Sequence, residues 1–76
     1  MAISYVTDEL LAEDVRAITV FVPADAELDA GAVAQQVRTT KRIPASHECH
    51  GEGNPVQGGV EWVYVFTRPA AGGQTG

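Results

Sequence analysis

Two runs of this chain carry apolar side chains on both alternating faces, and they restrict the fold more than any other feature. One covers residues 15–22 and the other residues 60–67. Successive side chains of a strand point to opposite faces. In the first run Ile18, Val20 and Val22 share one side, and Ala17, Thr19 and Phe21 the other. In the second, Val60, Trp62, Tyr64 and Phe66 share one side, and Val63 and Val65 the other. A sheet that is apolar on both faces needs a cover on each. Seventy-six residues hold little material for two covers. Part of this surface is therefore expected to meet a partner, a second copy or an N-terminal segment.

The remaining elements follow from local signals. Thr7 is a plausible N-cap, with Asp8 and Glu9 in the first turn of a short helix reaching Asp14. Pro23 ends the first strand because it has no N–H for the ladder. Asp29 caps a second helix over residues 30–39, in which Ala30, Val33, Ala34 and Val37 recur on one face. Arg38, Lys41 and Arg42 complement the negative end of its dipole, and Pro44 stops it. Residues 45–50 read as a weak strand and residues 51–59, rich in glycine and proline, as a long turn.

The expected fold is a small α+β domain over residues 1–69, of order α-β-α-β-β. It has a three-stranded, mostly antiparallel sheet with the 30–39 helix on one face. Residues 70–76 are expected to form a flexible tail. Ile18, Val20, Val22, Val63 and Val65 would meet the helix, each contributing roughly 1.5–3 kcal/mol before entropy. Phe21, Trp62, Tyr64 and Phe66 would lie opposite, covered in part by Leu10 and Leu11 or left as an interface.

Charge narrows the functional classes. The net charge is −5, and residues 1–29 hold seven acids against Arg16 alone, while Arg38, Lys41 and Arg42 stand together. Such a chain is repelled by nucleic-acid phosphates and attracted to a basic groove on a partner protein. The acidity also serves solubility. Cys49 is the single cysteine, so no internal disulfide forms, which fits a reducing, cytoplasmic setting. No signal-peptide pattern and no run long enough to span a membrane is present.

Each chemical motif has a bland reading beside it. His47, Cys49 and His50 carry metal-ligand chemistry, but in a strand His50 points away from the other two. A Cys49–histidine pair would lack an orienting group and an oxyanion hole. The glycines at 51, 53, 58 and 59 match no phosphate-binding loop, so no cofactor is expected. The aromatic stripe resembles a base-stacking platform only in shape, since only Arg68 continues it. The 45–68 hairpin could serve as the wing of a winged helix, but no second helix accompanies it.

These features predict a non-catalytic protein-interaction module. Phe21, Trp62, Tyr64 and Phe66 would be its anchors, and Asp8, Glu9, Glu13 and Asp14 its steering charges. The partner would be a protein with a basic surface, or a second copy in a homodimer. The profile matches a small phage-type inhibitor that occupies a host nucleic-acid-handling complex. The alternative is a small metal-binding or regulatory domain built on His47, Cys49 and His50.

Overall fold

The computed structural model describes residues 3–69, so the expectation for residues 70–76 lies outside the described residues. Four strands form one antiparallel sheet: β1 (Ser4–Ala12), β2 (Val15–Pro23), β3 (Glu48–Val56) and β4 (Gly59–Thr67), in spatial order β1-β2-β4-β3. One helix, α1 (Ala30–Thr40), links β2 to β3. The fold is α+β, as expected, but the sheet has four strands rather than three and the order is β-β-α-β-β.

The extra strand replaces the expected N-terminal helix. Residues 7–10 pair with residues 16–19 instead of coiling. A one- or two-turn helix is marginal in water, because nucleation fixes several residues for one hydrogen bond. The free edge of β2 offers a full ladder instead. The strand is irregular, with register shifts at Val6 and Leu11. Both side chains are exposed, and Leu10 is too, so Leu10 and Leu11 give the aromatic face little cover. Such bulges twist an edge away from further pairing.

The second correction concerns residues 51–59. β3 continues through Val56, and the turn is confined to Gln57 and Gly58, where Gly58 takes a φ of +88°. Gly51 pairs with Tyr64 and Gly53 with Trp62. A Cβ at Gly51 would stand 2.7 Å from Tyr64 Cε1, and one at Gly53 2.8 Å from the Trp62 ring. The two glycines are beds for aromatic rings lying across the edge strand, a known rescue of glycine in sheets.

The third correction is the phase of β4. Ile18 pairs with Tyr64, Val20 with Trp62 and Arg16 with Phe66, and directly paired residues share a face. The aromatic stripe therefore lies under α1, and Val63 and Val65 lie on the opposite side. The core comprises Ile3, Ile18, Val20, Val22, Val33, Val37, Ile43, Tyr64 and Phe66. The reason is volume. α1 offers only alanine and valine, so large rings fill the space between helix and sheet at native density.

The helix itself forms as its sequence predicts. The Asp29 carboxylate accepts from the Ala32 N–H at 2.8 Å. Its far end closes through Arg42 N–H to Thr39 O and Ile43 N–H to Arg38 O, the pair of bonds of a Schellman motif. The residue at the left-handed position is Arg42, with φ 58°, where glycine is usual.

Candidate functional site

The sheet has one face with no cover among the described residues. Its rows follow from the pairing: Glu9, Ala17, Val65, His50; then Thr7, Thr19, Val63, Glu52; then Ser4, Phe21, Glu61, Asn54. Ala17, Thr19, Phe21, Val63 and Val65 are half-buried by their neighbours alone. Glu9, Glu48, Glu52 and Glu61 border this apolar stripe. No lysine or arginine faces it among the described residues. Both edges resist strand addition, β1 through its bulges and β3 through Pro55. The face, not an edge, is thus the part of the sheet left open among the described residues.

The expected anchors separate. Phe21 lies on the open face. Tyr64 and Phe66 are core residues at 2% and 1% exposure, and Trp62 is half-buried beside them with its ring 6.0 Å from that of Tyr64. The Tyr64 hydroxyl donates to the Ala30 carbonyl at 2.9 Å, and burial pushes its pKa up to about 12.

The acidic cluster separates too. Only Glu9 joins the open face. Asp8 turns to the helix side, where Arg16 grips it through two bonds of 2.8 Å and Lys41 lies at 3.0 Å. The Arg16 hydrogen bonds hold its pKa down at about 2. Asp14 sits at the β1–β2 turn, 3.4 Å from Arg68.

His47, Cys49 and His50 do not converge. Cys49 pairs with Phe66 on the helix side, and His50 with Val65 on the open side. His47 precedes the strand. Among the described residues no group of three His, Cys, Asp or Glu is placed to hold a metal ion. Burial raises the Cys49 pKa, which keeps the thiol protonated and a poor nucleophile.

On the helix side a cleft of about 160 Å³ opens between the β1–β2 turn and the segment after α1. Leu10, Val15, Pro44 and Phe66 form apolar walls, and Arg16, Arg42, Arg68, His47, Glu13 and Asp14 supply the polar ones. Arg38 braces it by donating to the Pro44 and His47 carbonyls at 2.8 and 3.1 Å, with its guanidinium 5.3 Å from the Phe66 ring centre.

Sequence reasoning assigned Val63 and Val65 to the helix side and did not place Glu48, Glu52 or Glu61 on the open face. The small-residue face of α1 was the available signal, since it requires the larger side of β4. Comparison of the chain with protein-family models, curated proteins and solved structures returns no significant match. No helix of the described residues is long and apolar enough to cross a membrane.

Proposed function

We propose that this chain is a non-catalytic protein-interaction module whose uncovered sheet face receives a basic partner. The supporting observation is the pairing of an apolar stripe, Phe21, Val63 and Val65, with a border of four glutamates and, among the described residues, no lysine or arginine. Apolar contact at the centre supplies the binding energy, and the charged rim speeds encounter and selects the partner. A second copy stacked on the same face would set glutamate rows against each other, so charge favours a different protein. A nucleic-acid-handling complex has a surface of the required sign, and occupying that surface would make the chain an inhibitor of it. That is the role proposed for a phage-type protein of this size.

The test places Val63→Lys in the centre of the face and Thr39→Lys on the exposed side of α1 as a control. Partners are captured from lysate at low salt, and contacts are mapped by cross-linking. The expected result is loss of capture with Val63→Lys alone, and cross-links confined to the open face. Unchanged capture by Val63→Lys, with unchanged circular dichroism, refutes the proposal.

A further inference from the structure

Arg42 departs from what the fold requires. It occupies the left-handed position that closes α1, with φ 58°, where an L-residue with a side chain is disfavoured and glycine is free of the penalty. Glu27 takes the same conformation, with φ 57°, but only Arg42 of the two lines a cleft, and strain beside a cleft points to a use for the side chain. The other four basic residues have partners: Arg16 and Lys41 hold Asp8, Arg68 faces Asp14, and Arg38 holds two carbonyls. Arg42 has none among the described residues. It lines the cleft, where Leu10, 71% exposed, and exposed Pro44 present bare apolar surface beside it.

We propose that this cleft binds a small carboxylate with an apolar body, the carboxylate pairing with the Arg42 guanidinium and the body lying against Leu10 and Pro44. A guanidinium matches a carboxylate through two parallel N–H···O bonds. The cleft, at about 160 Å³, lies below the roughly 300–1,000 Å³ of pockets for drug-sized ligands, so it suits a small ligand better than a nucleotide. Polyanions are disfavoured because Glu13 and Asp14 also line the cleft and offset much of its positive charge. A singly charged acid with an apolar flank fits both conditions. The site lies on the opposite side of the sheet from the proposed partner face and stands independently of it.

The test uses benzoate as probe, benzamide as its uncharged analogue and inorganic phosphate as a plain anion. The full chain, isotope-labelled, is titrated and followed by amide chemical shifts. Saturable shifts at Leu10, Arg42 and Ile43 are expected with benzoate, with none from benzamide and binding at least about tenfold weaker for phosphate. Arg42→Gly should weaken benzoate binding about tenfold or more while keeping or raising Tm, because glycine suits the left-handed position. No saturable change up to about 20 mM benzoate, equal binding of phosphate, or undiminished binding by a folded Arg42→Gly would each overturn the proposal.

Discussion

Gly51→Ala should destabilise this protein, although the same substitution is ordinarily harmless or favourable. Alanine reduces the freedom of the unfolded chain, worth about 0.4–1 kcal/mol where the native backbone accepts it. At Gly51 the new methyl would meet Tyr64 Cε1 at 2.7 Å and Cδ1 at 2.9 Å. Carbon atoms rest at about 3.5–4.0 Å, so the ring must retreat by about 0.8 Å. It has little room, being 2% exposed and stacked on Trp62. Its hydroxyl is also fixed to the Ala30 carbonyl. Overpacking of this kind costs about 1–3 kcal/mol, and a weakened hydrogen bond adds up to about 1 kcal/mol. Taken at mid-range, and after the entropic gain, these terms leave a net loss of about 2 kcal/mol. For a domain of this size that is a fall in Tm of roughly 5–15 °C. Urea and thermal unfolding followed by the fluorescence of Trp62, the single tryptophan, measures it. Gly31→Ala is the matched control, because its methyl meets only the Asp29 carboxylate at 3.6 Å. It should stabilise α1 by about 0.5–1 kcal/mol. If Gly51→Ala is as stable as the parent chain, the ring does not lie against the β3 backbone and the account of that strand fails.

Further outcomes follow from the same contacts. Asp8 titrates near 2 in the folded chain against 3.8 ordinarily, so its contribution is present above pH 4 and is lost as pH falls toward 2. Solvent screening limits it to about 0.5–1 kcal/mol, and Asp8→Asn should flatten the stability profile across that window by this amount. Asp29→Ala removes the cap on Ala32 N–H and should cost about 1 kcal/mol in urea unfolding. Cys49, half-buried and with a raised pKa, should react with iodoacetamide at pH 7.5 at least about tenfold more slowly than a free thiol; equal rates would contradict its placement against the core.

The legible parts of this fold were those with a single physical reading. Asp29, the 3.6-residue spacing of Val33 and Val37, and Pro44 define α1 almost to the residue. The phase of β2 is also readable, because Ile18, Val20 and Val22 outweigh Ala17 and Thr19. β4 was ambiguous by the same logic, being apolar on both sides. Only the small side chains of α1 decide it, and that is a tertiary constraint. Thr7, Asp8 and Glu9 imitate a helix start, but the deciding fact is the unpaired edge of β2, which lies elsewhere in the chain. Gly51 and Gly53 read as turn residues because their role depends on the rings of Tyr64 and Trp62, on another strand. The composition of the open face inherits these errors: of the residues singled out from the sequence, Phe21 and Glu9 lie on it, while the place of Val63, Val65, Glu48, Glu52 and Glu61 there follows only from the strand pairing. The cleft left one trace in the sequence, a helix ending in Lys41-Arg42 where glycine would be natural.

The position of β4 has a consequence for how this molecule comes into being. β4, the last strand among the described residues, is seated in the middle of the sheet, between β2 and β3. Before it emerges, the chain can form the β1–β2 hairpin and fluctuating turns of α1, but β3 has no neighbour to bond and the rings that fill the core do not yet exist. The β2–β4 pairing joins residues as far apart as Val15 and Thr67, and such distant contacts make folding slow for a domain of this length. Folding of this sheet during synthesis is therefore postponed until β4 has left the ribosome. Any fragment lacking β4 is left with the apolar face of β2 exposed, a state prone to aggregation and accessible to proteases.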